Sequence, residues 1–201
     1  AWMPLTLGAA FVVIMWTWTR GAQILTEKTR RASIPLADLI DMLKARPPNR
    51  APATAIFLTS DPDMAPLALM HNLKHNMVLH RDNIILTVRT SDTPRIADAD
   101  RVQIETVNAD FKKVRVNYGF MESPNIPRAL RLCRQRGLKF DIMSTSFFLG
   151  RRSLVSAGRA SPMPPWQDKL FIYLIKNAAN PTDFFHIPPG RVVELGAQVS
   201  V

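Results

Sequence analysis

The chain has 201 residues, 47% of them hydrophobic, a length that suits one medium core plus an appendage. Its lone cysteine, Cys133, excludes an internal disulfide and fits a reducing compartment. Twenty-six Lys and Arg against sixteen Asp and Glu give a net charge of +10, which calls for an anionic neighbour, either nucleic acid or the inner face of a membrane.

From Ala1 to Thr19, AWMPLTLGAAFVVIMWTWT carries no charge and stops at Arg20. As helix this run is about 28 Å long, close to the roughly 30 Å hydrocarbon thickness of a bilayer. Trp2 at one end and Trp16 and Trp18 at the other match interfacial aromatic belts, and Pro4 is tolerable in a first turn. A secretory signal would place basic residues before the run. Here Arg20, Lys28, Arg30, Arg31, Lys44, Arg46 and Arg50 follow it. The expectation is a transmembrane helix over residues 1–20 with everything after Arg20 cytoplasmic. A buried core helix is the alternative, although GAAFVVIMW is apolar on every side.

Residues 21–53 read as a juxtamembrane amphipathic helix and linker. SIPLADLIDMLKAR places Leu36, Leu39, Ile40 and Leu43 on one stripe, with Ser33 as the possible cap, lying against the domain or the membrane surface. The prolines of RPPNRAPA, Arg46 to Ala53, then favour a linker.

Residues 54–201 read as one α/β domain. TAIFLT (Thr54 to Thr59) predicts a buried strand, Pro66 opens a helix through Leu67, Met70 and Leu73, and NIILTVRT (Asn83 to Thr90) predicts a second strand, the order of a βαβ unit. RVQIETV (Arg101 to Val107) and KKVRVNYGF (Lys112 to Phe120) alternate as an antiparallel hairpin that turns at Asn108, Ala109 and Asp110. NIPRALRLCRQRG is a helix with Ile126, Leu130 and Cys133 on its core stripe and Gly137 as its stop. IMSTSFFLG is strand-like. A final helix aligns Trp166, Leu170 and Leu174, and RVVELGAQVSV closes as an extended segment. The fold class is therefore α/β: one N-terminal transmembrane helix, then a cytoplasmic domain with a mixed sheet of about six strands and three to four helices. Repeats and low-complexity segments are lacking.

Chemistry is sparse. His71 and His75 have the one-turn spacing of H-E-x-x-H, and His80 follows, but Asn72 replaces the Glu, and no Asp or Glu lies between Asp63 and Asp82. A zinc site on these three residues competes with polar boundary positions on a crossover helix and the approach to the next strand. Neither G-x-G-x-x-G, nor the Walker pattern, nor G-x-S-x-G occurs, and His186 stands before a rigid Ile187-Pro188-Pro189 turn. Arg151 and Arg152 either clamp a phosphate or form a solvated surface. Basic residues interleaved with exposed aromatics are not evident, so nucleic acid is favoured by net charge alone. Catalytic residues, metal ligands and a cofactor are not expected, and cofactor-binding residues are not assignable.

Several long motifs, in order, resemble one family. HNLKHNMVLHRDNIILTVRT, VNYGFMESPNIPRAL, SFFLGRRSLV and WQDKLFIYLIKNAANPTDFFHIPPGRVVELGAQVSV are similar to stretches of the Kup/HAK/KT potassium uptake transporters. PLTLGAAFVVIMWTWTRG, ending in Met15, Trp16, Thr17, Trp18, Thr19, Arg20 and Gly21, resembles that family's last hydrophobic segment. The resemblance covers essentially the whole chain. It implies the C-terminal part of an inner-membrane potassium transporter, in bacteria a K+/H+ symporter, whose ion-coordinating groups belong to membrane helices absent from this chain. Implied partners are the lipid bilayer, and potassium and protons through those helices. A folded domain with no catalytic constellation attached directly to a transport helix points further to regulation or assembly, through a small anionic nucleotide or a second copy as homodimer. The rival readings are a membrane-tethered nucleic-acid-binding module and a zinc enzyme.

Overall fold

In the computed structural model, residues 2–141, 144–155, 162–178 and 184–200 are described, without the side chains of Ala32, Arg152 and residues 197–200. Strand β1 (Asn49–Leu58) lies inside a six-stranded sheet, and its centre, Ala55, Ile56 and Phe57, is wholly buried. A run this apolar has no face to offer water, so both sides of the strand require cover. After β1 comes helix α3 (Leu67–Asn76), then β2 (Val78–Ser91), which pairs parallel with β1 as the βαβ pattern predicts. The hairpin follows: β3 (Val102–Thr106), entered through the one-turn helix α4 (Asp98–Arg101), pairs antiparallel with β4 (Phe111–Gly119), and β4 runs parallel to β2. Helix α5 (Ile126–Gln135) then carries the chain to β5 (Thr145–Val155), parallel to β1 on its other side. With β6 (Val192–Ser200) the order is β3-β4-β2-β1-β5-β6, a mixed sheet as expected.

Alternation along the strands divides the core into two layers. Ile56, Ile84, Leu86, Val114, Val116 and Phe147 face the stripe Ile126, Ala129, Leu130 and Cys133 of α5. Ala55, Phe57, Ile85, Phe111 and Phe148 face Ala68 and Leu69 of α3 and Leu36, Leu39 and Ile40 of helix α2 (Leu36–Ala45). The amphipathic helix therefore lies on the sheet. The rings of Phe57 and Phe148 stack across adjacent strands with centroids 4.9 Å apart.

Local details depart from the sequence reading for identifiable reasons. Strand β1 begins at Asn49, inside the expected linker, because Asn49, Arg50 and Ala51 pair with Val78, Leu79 and His80. Pro52 falls where the register shifts between Ala51 and Thr54, a place where a missing N–H costs no ladder bond. Helix α2 starts after Pro35, which takes the N-cap position in place of Ser33. Helix α3 ends at Met77, a non-glycine in the left-handed region at φ 54°. Of the IMSTSFFLG stretch, Ile142 and Met143 lie outside the described residues.

The chain divides into two compact units: Ser33–Arg151 with Asn180–Leu195, which holds the sheet and both core layers, and Ala1–Ala32 with Arg152–Ala179 and Gly196–Val201. In the second, helix α1 (Met3–Ala32) packs against helix α6 (Pro165–Lys176). Phe171 is buried between Leu154, Met163, Ile24 and Leu25. The aligned apolar positions Trp166, Leu170 and Leu174 do not form the buried stripe of α6, which is Gln167, Asp168 and Phe171, with Trp166 turned outward. The reason lies on α1, which presents Thr17, Arg20 and Gly21 and so selects polar partners. By mean hydropathy, no helix among the described residues is long and apolar enough to cross a membrane.

Two measurements check this packing. Phe57→Ala should cost about 3–5 kcal/mol in urea unfolding of the sheet unit. Met77→Gly should stabilise by about 1 kcal/mol, since glycine carries no Cβ penalty in the left-handed region.

Candidate functional site

The histidines do not converge. His71 and His75 lie one turn apart on α3 with ring centroids 5.7 Å apart. His80 belongs to β2, half-buried, its ring packed edge to face on Phe148 with centroids 5.4 Å apart. Burial pushes its imidazole below the ordinary histidine range and favours the neutral ring. Among the described residues no group of three or more His, Cys, Asp or Glu could hold a metal. His186, at φ 52°, places Nδ1 3.1 Å from the Pro124 carbonyl, at the entrance to α5. Cys133 is buried on the core face of α5, and burial pushes its thiol up to about 11, so it is an inert core residue. Arg151 is exposed and lies 3.3 Å from Glu194, which fits the solvated-surface reading; the Arg152 side chain is outside the described residues.

The densest polar cluster stands at the end of β4 and was not anticipated. Arg101, 4% exposed, donates from Nε to Asp98 at 2.9 Å, from Nη2 to Glu122 at 2.7 Å and to the Ile96 carbonyl at 2.6 Å. Its guanidinium also lies over the Tyr118 ring at 5.1 Å. Glu122 additionally accepts from the backbone N–H of Gly119 at 2.7 Å. The Arg101 guanidinium, and then this N–H, hold its carboxyl down to about 2. Tyr118 completes the corner: its hydroxyl donates to the Asn125 carbonyl at 2.7 Å, and the Asn125 side chain caps α5 by accepting from the Arg128 N–H at 2.9 Å. Every charged group here has partners, so the cluster is structural: it ties the loop before β3 to the turn after β4. Gly119 is obligatory, since a Cβ there would meet the Pro94 carbonyl oxygen at 2.2 Å.

A second polar region lies on the sheet face at β3 and β4. Lys113 holds Asp63 at 2.6 Å and keeps that carboxyl below its usual range, and Arg115 reaches Gln103 at 3.3 Å. Lys113, Arg115 and Gln103, with Glu105 and Pro62, line a concavity of about 160 Å³. Thr87, opposite Arg115 in the β2–β4 register, is buried, and its hydroxyl and the Arg115 Nε have no partner among the described residues. Drug-sized ligands occupy roughly 300–1,000 Å³, so the hollow has room only for a small group or for part of a larger ligand.

The third region is the polar seam between α1 and α6. Thr17 and Gln167 are both wholly buried, and Gln167 Nε2 lies 3.4 Å from Thr17 Oγ1. Arg20 donates to Gln167 Oε1 at 3.3 Å and to the Pro162 carbonyl at 3.0 Å, with its guanidinium 5.7 Å from the Trp16 ring. Gly21 lets Phe171 approach so closely that a Cβ would come within 2.4 Å of its ring. The signal that could have found the seam is the pair Thr17 and Gly21, one turn apart, at the end of an apolar run.

The described residues thus form an α/β sheet unit and a long N-terminal helix whose first half exposes apolar side chains. Residues 52–201 match the family described as the K+ potassium transporter C-terminal domain, and the chain belongs to that family. It is 72% identical over 200 residues to the probable potassium transport system protein Kup of Caulobacter vibrioides, covering all of this chain and 30% of that protein. It is 56% identical over 201 residues to the protein of the same description from Nitrobacter winogradskyi, covering 31% of it, and 56% identical to Kup 2 of a Bradyrhizobium species, covering 32%. The chain thus spans about 30% of the length of these relatives. No solved structure matches.

The Arg101 cluster makes a prediction with a definite sign. Glu122 is held below its ordinary 4.5, so its contribution is complete above about pH 4.5 and lost as pH falls toward about 2. Glu122→Gln should destabilise by about 3 kcal/mol at pH 7, by stripping a buried guanidinium of its main partner. Urea unfolding at stepped pH should show that difference shrinking below pH 4.5.

Proposed function

We propose that this chain is the C-terminal part of an inner-membrane potassium transporter, running as K+/H+ symport, in which the sheet domain is cytoplasmic and biases the transport helices between states. The observation that carries the coupling is the packing of α6 onto α1 through Thr17, Arg20, Gly21 and Phe171. Potassium transport is what the relatives' names describe; in this reading the transporting residues belong to the part of such proteins outside this chain.

Helix α1 enters the bilayer in this reading. Trp2, Met3, Leu5, Leu7, Phe11, Val12 and Met15 are each more than half exposed, a surface that water disfavours by about 25 cal/mol per Å². Its mean hydropathy is lowered by Pro4, Thr6, Gly8 and the tryptophans, which hydropathy scales count as polar. Small and hydroxylated residues are also what helices use to pack together in lipid, so α1 crosses as one member of a bundle. The basic residues from Arg20 onward support a cytoplasmic sheet domain.

Two regulatory routes remain within this reading: a second copy of the domain, and a small anionic nucleotide seated by a phosphate at Lys113 and Arg115. Calorimetry of the chain with cyclic dinucleotides and adenine nucleotides should show binding that Arg115→Ala abolishes; no heat with any of them removes the ligand route. For the coupling itself, Gly21→Leu in a full-length transporter ending in this sequence should change K+ uptake by about fivefold or more at equal membrane abundance. Unchanged uptake would show that the sheet domain does not act through this seam.

A further inference from the structure

The buried side of α6 faces α1, and its outward side has a composition that the seam does not explain. At about 100° per residue, Trp166, Leu170 and Tyr173 fall within an arc of about 60°. Trp166 is 51% and Tyr173 64% exposed. Lys169 and Lys176 flank this arc on one side, both exposed. The helix's one acidic residue, Asp168, is buried on the opposite side, so the outward face is apolar in the middle, basic at its edge and free of carboxylate.

On its other edge the arc runs into Leu174, which shares a groove with Ile14, Met15, Trp18 and Ala178. The apolar surface is therefore continuous from α6 onto α1. Along α6, Gln167 meets Thr17 and Arg20, Phe171 meets Trp18 and Gly21, and Leu174 shares its groove with Ile14, Met15 and Trp18. The helix therefore lies beside the stretch of α1 where its uncharged run ends at Arg20, the level at which interfacial helices rest between headgroups and acyl chains.

We propose that α6 is an interfacial membrane helix, laying Trp166, Leu170 and Tyr173 into the lipid–water boundary with Lys169 and Lys176 against anionic headgroups. Tyr and Trp suit this position because each pairs an apolar ring with a polar atom, and the lysine stems can carry their charge back to the headgroups. The inference rests on the reading that α1 enters the bilayer. It adds a second attachment in the later part of the chain, a segment whose average composition does not mark it as membrane-seeking.

The test uses the full chain, with buried Cys133 replaced by alanine, reconstituted in phosphatidylethanolamine–phosphatidylglycerol vesicles. Spin labels are placed singly at Tyr173→Cys, Leu170→Cys, Val12→Cys and, in the sheet unit, Phe120→Cys. The proposal expects labels at 170, 173 and 12 to be broadened by oxygen and protected from a water-soluble nickel chelate, with the label at 120 showing the reverse. Protection at 12 with full nickel broadening at 170 and 173 overturns the interfacial helix and leaves the α1 reading standing. Nickel broadening at 12 removes the α1 reading and the proposal with it. Shielding of 170 and 173 from both reagents means that protein covers the stripe, a second copy if dipolar broadening is also seen, and likewise overturns the proposal.

Discussion

Everything in the sheet unit depends on strand β1 being apolar on both of its faces. A strand with Ala55, Ile56 and Phe57 wholly buried cannot stand at an edge or face water on one side. It needs a neighbour along each edge, which β2 and β5 supply in parallel, and a helical layer over each face. Parallel neighbours in turn need crossover connections, and α3 and α5 fill that role while also supplying the covering layers. Helix α2 extends the cover on the α3 face with Leu36, Leu39 and Ile40, a contribution from outside the strand–helix alternation.

The order of strands follows from the same demand. The chain moves outward from β1 through β2 to the β3–β4 hairpin, then returns across the sheet to place β5 on the other side of β1. Because β3 runs antiparallel at the edge, its outer face stays partly wet, and Gln103 and Glu105 point away from the buried layers. The Arg101 and Glu122 cluster sits at the corner where this hairpin is entered and left, closing with charge a junction that lacks the apolar residues to close it otherwise.

Most of the sheet unit was legible because its strands carry strong local signals. TAIFLT and NIILTVRT are short β-branched runs bounded by turn residues, and the hairpin has a clear period of two with Asn108 at its turn. What could not be read depends on partners distant in the chain. Nothing near Asn49 announces that it will pair with Val78. Arg101 and Glu122 each look like ordinary surface charges until the fold brings them within 2.7 Å. Helix α6 is instructive: Trp166, Leu170 and Leu174 align along it, but the polar Thr17 and Arg20 opposite it draw Gln167 inward. Periodicity identifies a helix's apolar face without saying whether protein or lipid will cover it.

The seam between α1 and α6 has a mechanical consequence. A purely greasy contact between two helices can slide, because one methyl group replaces another at little cost. Here a slip of one turn, about 5.4 Å, would lift Gln167 off Thr17 and drive Phe171 against a residue bulkier than Gly21. The junction therefore has a single axial stop, like a key with one tooth, and a piston-like stroke of the long helix must either carry its companion along or uncouple from it altogether.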